Sequence, residues 1–90
     1  MRNVLIVDDH EVVRDGVKNI LGGQAAPISF GEASTAPEAL RLMTEQNWDL
    51  VILDLSLAGR NGLELLKQLK QIDSELPVLI AAKGEYAKLQ

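Results

Sequence analysis

Three carboxylates carry most of the chemistry this sequence could perform. Asp8 and Asp9 follow an apolar run at residues 4–7, and Asp54 follows a second run at residues 50–53. Gathered at one place, such groups supply hard oxygen donors, and with no Cys and a single His in the chain they suit Mg²⁺. A cation there would relieve their mutual repulsion and neutralise an incoming phosphate. A carboxylate so placed can attack phosphorus and form an acyl phosphate. Taken singly, each Asp has a plainer reading as a helix cap or a solvated loop residue. Asp54 stands apart because Leu55 follows it, so its carboxylate borders apolar sequence on both sides and needs a partner.

The elements that must position these acids alternate along the chain. Val4, Leu5, Ile6 and Val7 read as a strand buried on both faces. Val12, Val13, Val17, Ile20 and Leu21 follow helical spacing, with Asp9 or His10 at the start and Gly22-Gly23 as the stop. Residues 28–30 make a short second strand whose alternation suits a sheet edge. Thr35 and Glu38 are spaced as a capping box for a second helix, with Pro37 in its first turn and Ala36, Ala39, Leu40 and Met43 on its apolar face. Residues 50–53 are another buried strand, ending at Asp54. After a polar loop at 56–61, Leu63, Leu65, Leu66, Leu69 and Ile72 define a third helix with Glu64, Lys67, Lys70 and Gln71 outward. Pro77 breaks the chain before a fourth strand at 78–82. A weak helical pattern around Tyr86 and Leu89 closes the sequence.

This β-α-β-α-β-α-β order implies parallel βαβ units with right-handed crossovers in one α/β domain. Ligands bind such sheets at the carboxyl ends of the strands, where strand order reverses. If the first and third strands are neighbours, Asp8, Asp9 and Asp54 converge there.

The 90 residues suit one domain, and the presence of one Trp, one Tyr and one Phe makes the core aliphatic. A net charge of -4 argues against a nucleic-acid footprint. The absence of Cys excludes disulfides, thiolate nucleophiles and zinc–sulfur sites, and fits a reducing, cytoplasmic setting. No apolar run approaches the roughly 20 residues of a membrane span, and no signal-peptide pattern precedes the first run.

The residues at the strand ends resemble a known family. Val4-Leu5-Ile6-Val7-Asp8-Asp9-His10, with Val13-Arg14 and Gly16, is similar to the opening of bacterial two-component response-regulator receiver domains. The likeness is greatest to the LuxR/FixJ-type subgroup, usually fused to a helix-turn-helix output domain. Asp49-Leu50-Val51-Ile52-Leu53-Asp54-Leu55-Ser56-Leu57, with Gly59 and Gly62, resembles the phosphoacceptor strand and loop. Gly31-Glu32-Ala33, Glu38-Ala39-Leu40 and Pro77-Val78-Leu79-Ile80 also match, so the resemblance covers residues 2 to 82. It implies a flavodoxin-like, doubly wound parallel sheet ordered 2-1-3-4. It further implies that Asp54 accepts phosphate from a histidine kinase, that Asp9 ligates Mg²⁺ directly and that Asp8 assists. The Ser56 backbone carbonyl would be another oxygen ligand, and Gly62 would let the loop turn into the third helix.

The chain also departs from the family pattern. Where the family has Thr or Ser at the end of the fourth strand, this sequence has Ala82, which lacks the hydroxyl that bonds the phosphoryl group. The family's fifth strand, with its Lys, and its fifth helix have no counterpart, so the domain reads as truncated after the fourth strand. Lys83 is expected to be solvated rather than a substitute, and Ala58 stands where a proline is common. Removal of one preorganised donor costs about 3 kcal/mol in other enzymes, so impaired phosphorylation is expected. The uncharged strand at 78–82 would become an edge beside uncovered sheet, which predicts a homodimer through that surface. His10 is expected to face solvent at a helix start, and Trp48 to be a packing cap.

Three functions compete. One is a signalling receiver that takes phosphate at Asp54. Another is a degenerate receiver that binds itself or a partner without phosphotransfer. The last is a Mg²⁺-dependent phosphohydrolase using Asp54, ranked lowest because Ser56 replaces the second acid of the haloacid-dehalogenase pattern.

Overall fold

A computed structural model describes residues 2–22, 27–55 and 62–81. Its elements are β1 (Arg2–Val7), α1 (Glu11–Gly22), β2 (Ile28–Ala33), α2 (Ala36–Glu45), β3 (Leu50–Asp54), α3 (Gly62–Ile72) and β4 (Val78–Ala81). The four strands form one sheet, parallel as the alternation of strand and helix patterns requires, in the order β2-β1-β3-β4 that the family resemblance implies. Among the described residues the sheet has these four strands and a flavodoxin-like winding. The weak helical pattern around Tyr86 and Leu89 lies outside them.

Both apolar runs are buried on both faces because both faces carry helices. Leu5, Val7, Val51 and Leu53 point into the larger core with Ala36, Ala39 and Met43 of α2 and Leu65 and Leu69 of α3. Val4, Ile6 and Ile52 point the other way, toward Val17 and Leu21 of α1. This period-two division between faces is what continuous aliphatic runs encode in a parallel sheet. The core is aliphatic throughout.

Two strands run longer than their apolar runs. β1 begins at Arg2 and β2 continues to Ala33, because parallel pairing runs without a break from Arg2↔Ile28 to Val7↔Ala33. The ladder carries Gly31 and Glu32, which β-propensity alone disfavours. β2 is an edge strand, as its alternation predicts.

Helix faces are narrower than the apolar patterns imply. Val12 and Ile20 of α1, and Leu63 and Ile72 of α3, are exposed. The stripe facing the sheet follows i, i+4 through Val13, Val17 and Leu21 in α1, and through Leu65 and Leu69 in α3, leaving flanking aliphatics in water. Leu76 is buried although it lies in a polar turn. Lys70 Nζ holds that turn by donating to the Leu76 carbonyl at 2.7 Å.

α2 begins with half of the expected capping box. Thr35 Oγ1 accepts from Glu38 N at 3.2 Å, but Glu38 reaches one residue further back and accepts from Ser34 N at 2.8 Å. Trp48 packs as expected: its ring lies against Gly31 of β2 and its Nε1 donates to the Leu42 carbonyl at 3.0 Å. A side chain at residue 31 would collide with that ring.

Candidate phosphoacceptor and metal site

β1 and β3 are neighbours with Val7 opposite Leu53, so the next residue of each strand brings Asp8 beside Asp54. Asp8 stays in line because its N–H donates to the Ala33 carbonyl at 3.0 Å, extending the β1–β2 ladder by one residue. Asp8 is 5% exposed and Asp54 is 2% exposed, values that isolated carboxylates do not tolerate without compensation. Asp9 is half-buried and turns the chain into α1.

One ligand atom from each of Asp8, Asp9, His10 and Asp54 lies within 4.8 Å of all the others. Three carboxylates at that separation repel strongly in a low-dielectric pocket, which favours a cation among them. Their hard, mostly buried oxygens fit Mg²⁺. Asp8, Asp9 and Asp54 therefore converge at the strand ends, as expected if β1 and β3 are neighbours. Ser56 and Ala82 fall outside the described residues, as do Ala58 and Lys83. Gly62 lies at the start of α3, packed so closely that an added Cβ would meet the Leu55 Cα at 2.5 Å.

His10 meets the expectation of a solvent-facing residue only in part, its side chain being 36% exposed. It does stand at the helix start, where its carbonyl accepts from Val13 N and Arg14 N at 3.1 Å each. Its ring, however, folds over the acids. Nδ1 lies 2.8 Å from Asp8 Oδ1, 2.7 Å from Asp9 Oδ1 and 4.0 Å from Asp54 Oδ2. The Asp8 carboxylate also accepts from His10 N at 2.8 Å, and this tight turn swings the imidazole inward. The signal in sequence is a donor residue directly after two acids at a strand end.

A second charged group braces the turn from outside. Arg14 Nη1 donates to the Asp8 carbonyl at 2.6 Å, while its Nε donates to Glu32 at 2.9 Å. Lys18 Nζ reaches the other Glu32 oxygen at 2.9 Å. The Lys18 ammonium, and then the Arg14 guanidinium, hold the Glu32 carboxyl below its usual 4.5. Hydrogen bonding to Glu32 in turn raises Lys18 above 10.5.

Comparison with known proteins agrees with this arrangement. A model of the response regulator receiver domain matches residues 4–89. The transcriptional regulatory protein YdfI of Bacillus subtilis is 39% identical over 80 residues, covering 89% of this chain and 37% of YdfI. The chain thus spans little more than a third of that relative's length. A LuxR-family two-component response regulator from Aurantimonas superimposes with a TM-score of 0.76 at 34% identity, over 87% of this chain and 56% of that one. The response regulator TrrA of Thermotoga maritima, solved with Mg²⁺ and a beryllium–fluoride group, gives a TM-score of 0.80 at 28% identity, over 99% of this chain and 77% of that one. A chain in the complex of TrrA with the histidine kinase ThkA gives 0.77 at 29% identity, over 91% of this chain and 69% of that one. With the sheet order, the strand-end acids and a family match across nearly its whole length, the chain belongs to the response regulator receiver domain family, among relatives of the LuxR type.

Proposed function

We propose that this chain is the receiver of a two-component phosphorelay, with Asp54 as the phosphoacceptor. The observation that carries this reading is the convergence of Asp8, Asp9 and Asp54 at neighbouring strand ends, with Asp54 almost wholly buried at the tip of β3. Asp54 would present its oxygen to an incoming phosphoryl group, and Asp9 would hold Mg²⁺ beside it with Asp8 assisting and the Ser56 carbonyl as a further donor. When bound, the cation would offset the charge of the acids and of the phosphoryl group. The protein is no enzyme beyond catalysing its own phosphorylation, and the donor is a histidine kinase. The kinase-bound state of TrrA supports that partner.

Ala82 supplies no hydroxyl, so the phosphorylated form is less stabilised and the switch is impaired. A cytoplasmic setting without nucleic-acid contact through this domain fits the net charge of -4 and the lack of Cys. No described helix is long and apolar enough to cross a membrane.

Mass spectrometry after incubation with acetyl phosphate and Mg²⁺ tests the reading. A phosphoryl adduct is expected on the wild-type chain, forming slowly, and none on Asp54→Asn. An adduct that persists in Asp54→Asn overturns it. Absence of any adduct while Mg²⁺ still binds favours the alternative, a degenerate receiver that works by association alone.

Self-association has a specific observation behind it. Val13, Val17, Ile20 and Leu21 of α1 and Ile52, Leu79 and Ile80 of the sheet line an open apolar depression of about 390 Å³. Leu79 of β4 is 56% exposed. We infer a homodimer through this face and the strand at 78–82. A light-scattering mass of one chain at micromolar concentration would overturn it.

A further inference from the structure

The imidazole of His10 occupies a place that the receiver reading leaves without a role. It neither caps α1 with its side chain nor packs in a core, yet its Nδ1 is held among three carboxylates. Nδ1 lies 2.8 Å from Asp8 Oδ1, 2.7 Å from Asp9 Oδ1 and 4.0 Å from Asp54 Oδ2, and one donor atom from each of the four residues lies within 4.8 Å of all the others, close enough for a single ion to be shared among them.

We propose that His10 is a nitrogen ligand in the cation site and that it shifts the site's preference from Mg²⁺ toward borderline divalent metals such as Co²⁺ and Ni²⁺. This inference rests on the metal reading of Asp8, Asp9 and Asp54. Mg²⁺ takes oxygen donors and keeps its waters, so an imidazole adds little to its binding. Co²⁺ and Ni²⁺ gain from an imidazole nitrogen, and stand above Mn²⁺ and Fe²⁺ in intrinsic affinity for such sites. Nδ1 lies within hydrogen-bond distance of Asp8 Oδ1 and Asp9 Oδ1, at 2.8 and 2.7 Å. With a cation bound, Nδ1 turns its lone pair to the metal and the ring proton resides on Nε2. The chain connection makes this arrangement inexpensive: His10 N already donates to Asp8 Oδ1, so the ring is oriented before any ion arrives.

Calorimetric titrations of the full chain with MgCl₂, and separately with NiCl₂ and CoCl₂, test the proposal, comparing wild type with His10→Ala and His10→Asn. Far-UV circular dichroism confirms that each variant is folded. The expected result is at least about a tenfold loss of Ni²⁺ and Co²⁺ affinity in both variants, with Mg²⁺ affinity changed by less than about threefold. The visible spectrum of the Co²⁺ form should change with it as a nitrogen ligand is replaced by water. Equal loss for all three ions overturns the proposal, because it marks His10 as a support for the turn. Equal gain overturns it too, because the imidazole would then be an occupant that cations must displace. If the wild-type chain binds none of the ions, the metal reading itself falls. If it binds them all and the variants match it, only the role of His10 falls.

Discussion

Asp54 joins a buried position to an ionisable group, and the residue beneath it shows how tightly that position is built. Gly62 opens α3 against the backbone of Leu55, where an added Cβ would stand 2.5 Å from the Cα and 2.6 Å from the carbonyl oxygen. Backbone atoms at the end of a central strand cannot yield as a flexible side chain would. Gly62→Ala should therefore cost about 1–3 kcal/mol in urea unfolding, the range for forced overpacking. It should also slow phosphorylation, since Leu55 is the residue next to Asp54. The three aspartates were legible in sequence because each ends an apolar run whose strand character is unambiguous. His10 was not, because where its ring lies depends on the Asp8–His10 turn, a detail of a few dihedral angles. Ser56 and Ala82 keep only the standing that the family resemblance confers.

At the scale of elements, β2 is held to the rest of the sheet by more than its ladder. Trp48 covers Gly31 on one face, while on the other Glu32 receives Arg14 and Lys18 from α1. The Arg14 side chain also holds the Asp8 carbonyl, so the brace ties the edge strand, the first helix and the acid cluster together. Hydrogen bonds from Lys18 and Arg14 lower the Glu32 pKa below 4.5, so the stabilisation is present above the ordinary carboxylate range. It is lost as the pH falls through the lowered value and Glu32 takes up a proton. Glu32→Gln should accordingly lower the unfolding midpoint modestly at neutral pH, the groups being partly solvated. That difference should vanish on acidification below the carboxylate range, as urea titrations at a series of pH values would record. The extent of β2 beyond Phe30 escaped the sequence pattern because Gly31 and Glu32 are poor strand formers. Pairing with β1 decides the matter, and pairing is a property of two segments. Leu76 escaped for the same reason, as one apolar residue in a polar turn that packing against α3 and the sheet buries.

Across the whole molecule, the two faces of the sheet are unequally covered. Among the described residues, α2 and α3 close over one face with eleven buried residues in a shared cluster, whereas three buried residues lie under α1. Val12, Ile20 and Leu79 are exposed on or beside that thinner side. Replacing Leu79 by Lys puts a charge in the apolar depression and should drive any dimer to monomer in light scattering, with the acid cluster and its cation affinity intact. The alternation of strands and helices was enough to foresee parallel pairing and the site's edge, while the order 2-1-3-4 came from the family resemblance. The unequal covering was legible in part, through the apolar strand at 78–82, but the outward turn of Val12 and Leu63 depended on how far each helix is rotated against the sheet.

The thin covering by α1 has a thermodynamic consequence. No side chain of α1 is fully buried, which predicts that this helix opens below the global unfolding free energy. Asp9 and His10 lie immediately before its first turn, and Arg14 within it holds the Asp8 carbonyl, so when α1 opens the acid cluster loosens with it. Any ligand that needs the assembled site then opposes that opening, by about 2.7 kcal/mol at a hundredfold excess over its Kd. The coupling is reciprocal: occupancy of the pocket raises the closed population of α1, and a ligand that binds only the closed α1 raises the affinity of the pocket. The described helix with the least buried face and the acid cluster thus share one local equilibrium.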